Sequence, residues 1–224
     1  MPRTITRTVF TFDELSDHAK DKARDWFREG SLEYDTDHDG SFEDAKTCGA
    51  ILGIEIAARN QRCIVTGSVA RPAREWIDRS PAIYYSGFSS QGDGACFEGS
   101  YSYAVGASKA IREHAPTDTE LHRIADELQE LQRKEFYSLT ATMKHRGHYS
   151  HSGCMGVTIN DGRWRLGTNW GAHDEALIQL MRDFADWIYK QLELEYDWRN
   201  ADAQVDDSIL ANEYTFDEAG NREG

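Results

Sequence analysis

The sequence predicts an α+β fold: an antiparallel sheet of hairpins and a meander packed against several helices. It reads as a single domain over 1–224, with an acidic helical region at 174–211 and a terminal strand at 212–222. Three observations carry that prediction. Stretches of alternating apolar and polar residues are joined by short glycine-bearing turns, which suit antiparallel neighbours. Stretches with 3.6-residue periodicity stand in groups between them, so the order is not a βαβ repeat. One long amphipathic stripe then fills 174–198.

Residues 3–10 alternate in part and read as a short strand. Thr11 and Glu14 form a capping box, Phe10 and Leu15 a hydrophobic staple, and Phe12, Leu15, Ala19, Ala23, Trp26 and Phe27 a helical stripe that Gly30 ends. Ser41 and Asp44 open a second helix with Phe42, Ala45, Ile51 and Leu52 inward; Gly53 closes it and "IEIAA" follows as a strand. "AIYYSGFS" and "ACFEGSYSYA" flank the turn "SQGDG" and predict a hairpin over 82–104. Helices are expected near 108–114 and 118–135, the second capped by Thr117 with Glu120. Matching apolar faces then pairs Met143 with His151, Ala141 with Gly153 and Leu139 with Met155, across a three-residue loop, Arg146-Gly147-His148. A second turn at Asp161-Gly162 sets Ile159 opposite Trp164 and Val157 opposite Leu166. Leu177, Leu180, Met181, Phe184, Trp187, Ile188 and Leu192 face inward on the long helix; a helix over 201–211 and a final strand or hairpin in "EYTFDEAGNR" complete the chain.

Charge is the outlying property. The chain has 25 basic and 39 acidic side chains, a net −14, and 174–224 alone holds 14 acids against 4 bases. Such a surface repels nucleic acid and anionic membranes and favours basic protein surfaces or cations. The cysteines Cys48, Cys63, Cys96 and Cys154 are widely spaced with no C-x-x-C pair, and the sequence shows neither a signal core nor a membrane span. A cytoplasmic protein with reduced thiols is expected.

"YDTDHDGSFEDAK" (34–46) imitates a calcium loop, with Asp35, Asp37, Asp39 and Glu43 as candidate Ca2+ ligands and Gly40 at the turn. Against it, Lys46 stands where the bidentate glutamate belongs, so an acidic turn capping the next helix is the favoured reading. His145, His148, His151 and Cys154 recur every third residue and invite zinc. In the expected register, however, Cys154 points to the face opposite His145 and His151. Ser152 beside His151, with Asp93 and Glu98 near the "GDG" turn, are the catalytic candidates, and none sits in a nucleophile elbow, phosphate loop or metalloprotease helix. No catalytic residue and no required cofactor are therefore assigned.

"FTFDELSDHAKDKARDWFREG", "YYSGFSSQGDGACFEG" and "ANEYTFDEAGNR" resemble a family of accessory proteins of tailed phages and prophages that carry the label "antitoxin of toxin–antitoxin stability system". The resemblance implies a protein acting in the bacterial cytoplasm that binds and blocks a host protein. The acidic excess suggests a nucleic-acid-binding target whose basic groove is occupied by carboxylates. On that reading the contact residues are Asp186, Glu193, Glu195, Asp197, Asp202, Asp206 and Asp207, and then the hairpin aromatics Tyr84, Phe88 and Tyr101. The alternative is a metal-binding or hydrolytic enzyme using the 89–98 turn and the His145/His151 hairpin.

Overall fold

The structure is a computed structural model that describes residues 7–31, 38–65, 74–160 and 171–223. The fold is α+β, with antiparallel sheets and six helices among these residues. Contacts gather into two compact units, one of residues 39–192 and one of residues 1–38 with 193–224.

In the smaller unit, β1 (Phe10–Thr11), β10 (Thr215–Phe216) and β11 (Arg222–Glu223) form a three-stranded antiparallel sheet beside α1 (Asp17–Ser31) and α6 (Asp202–Ala211). The expected capping box is present: Glu14 accepts from the Thr11 backbone N–H at 2.8 Å and from its hydroxyl at 3.0 Å. It opens a single 3-10 turn at Phe12–Glu14, and extended backbone at Leu15 separates that turn from α1. Phe12, Leu15, Ala19, Ala23, Val205, Ile209 and Phe216 make the core. Two stretches far apart in sequence thus build one sheet, with Phe10 opposite Phe216 and Thr11 opposite Thr215.

In the larger unit, α2 (Asp39–Leu52) leads through Gly53 into β2 (Ile54–Ile56). Gly53 has φ +87°, and a Cβ there would lie 2.0 Å from the Ser102 carbonyl, so this stop requires glycine. A four-stranded sheet runs in the order β2, β7 (Gly99–Tyr101), β8 (Thr140–His145), β9 (Met155–Asn160). Two hairpins stand outside it: β3 (Ala58–Val65) with β4 (Arg74–Pro81), and β5 (Ile83–Ser86) with β6 (Gly94–Phe97). The β3–β4 hairpin lacks clean alternation, and sequence periodicity gives no sign of it. The expected 82–104 hairpin forms with Ile83 opposite Phe97, but its second strand breaks at Glu98 and passes to the other sheet. Backbone bonds Ala57 N–H to Glu98 O, Glu98 N–H to Ala82 O and Ala82 N–H to Ala57 O lock that junction.

The meander register differs from expectation. His145 pairs with Met155, Met143 with Val157, and Ala141 with Ile159. Residues 146–154 form a longer connection containing a 3-10 turn at Ser152–Cys154, closed by Arg146 N–H to Cys154 O. The slip is an even number of residues, so every apolar side chain keeps its face. Periodicity fixes that parity but cannot fix loop length. The Asp161-Gly162 turn, Trp164 and Leu166 lie outside the described residues.

Helices α3 (Ala107–His114), α4 (Thr119–Lys134) and α5 (Ala172–Asn200) cover the sheet's core, and all seven inward residues expected on α5 are buried. The cap of α4 is Asp118 rather than Thr117: one carboxylate oxygen accepts from Glu120 N–H at 3.1 Å and Leu121 N–H at 3.0 Å. Its other oxygen accepts from Trp187 Nε1 at 2.7 Å, a long-range contact that decides between two adjacent capping candidates. Asp118→Ala should therefore cost about 2 kcal/mol, half for the cap and half for the orphaned indole N–H. Urea unfolding checks this, with Asp118→Asn recovering the cap. Cys48, Cys96 and Cys154 are unbridged, and burial pushes the Cys48 thiol up to about 12 and the Cys96 thiol up to about 11. No helix among the described residues is long and apolar enough to cross a membrane.

Candidate functional site

The charge is segregated between the two units. Residues 1–38 with 193–224 hold 19 acids against 8 bases, net −11, whereas 39–192 hold 20 against 17, net −3. The smaller unit thus carries nearly all the excess on fewer than half as many residues. Its acids divide into two groups.

Three of the predicted contact acids are committed internally. Asp206 takes both ends of the Arg24 guanidinium, at 2.7 and 2.8 Å, and this carboxylate holds Arg24 well above the usual arginine range. Asp202 pairs with Arg28, which also donates to the Asn200 carbonyl at 3.0 Å and so ties the α5–α6 link to α1. Glu195 pairs with Arg199 one turn on and meets the buried His38 at 3.1 Å. These residues hold the unit together, and the sequence does not reveal it because Arg24, Arg28 and His38 lie more than 150 residues away.

Asp197 and Asp207 are exposed, and no ion pair to either occurs among the described residues; Glu193 is half-buried. Beside Asp197, Leu194 and Trp198 stand one helical turn apart and are 50% and 60% exposed. An indole this open, flanked by carboxylates, is the type of side chain that anchors protein interfaces. Asp186 is exposed on the part of α5 that belongs to the larger unit.

The hairpin aromatics are arranged differently from expectation. Tyr101 is not on a solvent-facing side: it is buried in the core, where its phenol oxygen accepts from Gln132 Nε2 at 3.2 Å and burial pushes its pKa up to about 12. It cannot be a contact residue, because parity along the strand turns it with Phe97 towards the core. Tyr84 is half-buried, stacked on His145 at 4.5 Å with the Arg59 guanidinium over its ring. Phe88 is half-buried between Tyr85 and Tyr189.

Sequence reasoning missed Phe136 and Tyr137. These consecutive aromatics have φ of +55° and +59°, a region bulky side chains rarely enter, and Phe136 is 81% exposed. Tyr137 packs on Tyr103 at 4.6 Å. Each such residue costs roughly 1–3 kcal/mol of backbone strain, which the exposed Phe136 ring does not recover by burial.

Asp35 and Asp37 lie outside the described residues. Asp39 and Glu43 sit one turn apart on α2, which begins at Asp39, so no calcium loop extends over 39–43; Lys46 binds the Glu43 carboxylate at 2.7 Å. His145, His148, His151 and Cys154 do not gather as ligands. Tyr149 O accepts from His145 Nε2 at 3.2 Å, His148 packs edge-on to Tyr149, and His151 Nδ1 accepts from Gly153 N–H at 2.9 Å. Because 146–154 is a loop, His145 and His151 do not share one face of a hairpin as expected. Ser152 is buried, Asp93 caps the turn by accepting from Ser89 and Ser90 N–H, and Glu98 is held by Lys144 and the His145 backbone. Asp93 and Glu98 thus have structural partners.

No curated protein and no solved structure matches the chain. A family model described as Domain of unknown function (DUF8835) matches residues 38–202, which takes in the whole of the larger unit. On that match, covering most of its length, the chain belongs to this family.

Proposed function

We propose that the chain is a non-enzymatic phage or prophage accessory protein that binds and blocks a bacterial protein with a basic surface. Its contact face lies in the unit of residues 1–38 and 193–224. The observation that carries this reading is the segregation of charge: a net −11 on that unit, with Trp198 and Leu194 exposed beside Asp197. Like charges crowded on a small unit cost stability, and an exposed aromatic anchor adds short-range affinity where carboxylates steer the approach. Internal pairing of Glu195, Asp202 and Asp206 narrows the contact set to Asp197, Asp207 and Trp198. The resemblance of "FTFDELSDHAKDKARDWFREG" and "ANEYTFDEAGNR" to phage proteins falls on this same unit.

The test is affinity capture from bacterial lysate at low and high salt, followed by titration of the captured protein with variants. Trp198→Ala should weaken binding about 30-fold, the value of a 2 kcal/mol hot spot. Asp197→Asn with Asp207→Asn should slow association and flatten its salt dependence. A captured partner whose affinity ignores salt and all three substitutions would overturn this assignment. If Phe136→Ser alone abolished capture, the strained aromatic pair of the larger unit would be the contact surface instead.

A further inference from the structure

Asp44, Cys48 and His114 bring a carboxylate, a thiol and an imidazole to one point of the larger unit. Asp44 and Cys48 stand one turn apart on α2, and His114 is the last residue of α3. Asp44 Oδ1 lies 3.9 Å from Cys48 Sγ and 3.6 Å from His114 Nε2, and the three donor atoms all fall within 4.8 Å of one another. An imidazole N–H bound directly to a carboxylate would sit at about 2.7–3.2 Å, so His114 and Asp44 approach without a good hydrogen bond. A tetrahedral zinc ion, with bonds of about 2.0–2.3 Å, sets its ligand atoms roughly 3.3–3.6 Å apart. The two Asp44 edges exceed that by a few tenths of an ångström at most, and the third, from Cys48 to His114 and no longer than 4.8 Å, closes by side-chain rotation of the exposed His114.

The surroundings suit a cation as well. Cys48 is 1% exposed and forms the floor of the cluster, whereas the Asp44 and His114 side chains are 53% and 38% exposed and leave an approach from solvent. Asp118, whose charge reaches Cys48, has both oxygens committed to the α4 cap and Trp187, so a water is left for the fourth vertex. Thiolate with imidazole and one carboxylate is a borderline-soft donor set, which selects zinc-like ions over calcium or magnesium.

We propose that Asp44, Cys48 and His114 form a site for a zinc-type divalent cation, with water as the fourth ligand. Binding expels the Cys48 thiol proton to solvent and takes His114 as neutral imidazole. The acidic stretch 34–46 then contributes to a metal site through Asp44 rather than through its alternating aspartates. This inference is independent of the partner-binding proposal.

The test is titration of the chelator-stripped full chain with Co2+, a spectroscopic stand-in for Zn2+, followed by displacement with Zn2+. One equivalent of Co2+ should give tetrahedral ligand-field bands and a thiolate-to-cobalt charge-transfer band, both erased by Zn2+. The charge-transfer band should vanish in Cys48→Ser. In His114→Ala, an exposed change that leaves folding intact by circular dichroism, Co2+ affinity should fall by more than the roughly 10–100-fold that losing an outer-sphere partner costs. Saturation without a thiolate band would overturn the site. So would a thiolate band with unchanged affinity in both His114→Ala and Asp44→Asn.

Discussion

Phe216→Ala is expected to destabilise the smaller unit by roughly 3–5 kcal/mol, the cost of emptying a buried phenylalanine site. Phe216 is fully buried and meets Phe12 at 6.4 Å and Trp26 at 5.7 Å between ring centroids, both edge-on. Its backbone is the middle of the three-stranded sheet, paired with Phe10 on one side and Arg222 on the other. The core it serves has seven buried residues among those described, most of them smaller than phenylalanine, so little is at hand to close over the cavity. The larger unit has its own, much larger core, and that difference makes the prediction specific. Hydrogen exchange should show lost protection in α1 and α6 while β8 and α4 keep theirs. Uniform loss across both units would show a single cooperative block, and unchanged protection would remove Phe216 as the keystone of this core. The variant should also lose the partner in the capture experiment, because the Arg24–Asp206 and Arg28–Asp202 pairs depend on the same helices.

Gln132→Leu is expected to cost the larger unit roughly 3–5 kcal/mol despite putting an apolar residue at a fully buried position. Gln132 Nε2 donates to the Leu139 carbonyl at 2.7 Å and to the Tyr101 phenol at 3.2 Å, and its Oε1 accepts from Leu139 N–H at 3.3 Å. One amide therefore satisfies both backbone groups of Leu139 and the hydroxyl of a central core tyrosine. A leucine of similar volume leaves three buried polar groups without partners, each worth about 1–3 kcal/mol less some relaxation. The amide also holds the segment that carries the left-handed Phe136 and Tyr137, so their geometry should relax in the variant. Denaturant unfolding of Gln132→Leu beside the unsubstituted chain checks this. A neutral Gln132→Leu would mean that water replaces the amide.

Element type and order were legible in the residues wherever a local rule acts alone. The Thr11–Glu14 box, the Gly53 stop and the whole buried stripe of α5 follow from spacings of two to four residues. The acidic excess was legible too, since it is a matter of counting. The candidate site was less so. Of the predicted contact acids, Asp197 and Asp207 remain open, while Asp202 and Asp206 meet arginines brought from the other end of the chain, and Glu195 meets Arg199 one turn on and the distant His38. Trp198 shows as an exposed anchor only once its helix face is placed, whereas the burial of Tyr101 was within reach of strand parity, which it shares with Phe97. In the metal cluster, the one-turn spacing of Asp44 and Cys48 was readable on a helix, but His114 was not.

By itself, the sequence determined periodicity, parity, local caps, the antiparallel α+β class and the sign of the surface. Each of these depends on interactions within a few residues or on composition. Only the tertiary structure decided the loop length between β8 and β9, the choice of Asp118 over Thr117, the splitting of the acids into paired and open sets, and the meeting of α2 with α3 at Asp44, Cys48 and His114. The physical reason is the same in each case: the deciding partner is distant in the chain. Many sequences with this local pattern satisfy the pleat and the helical turn equally well, and only long-range packing and hydrogen bonding select one arrangement among them.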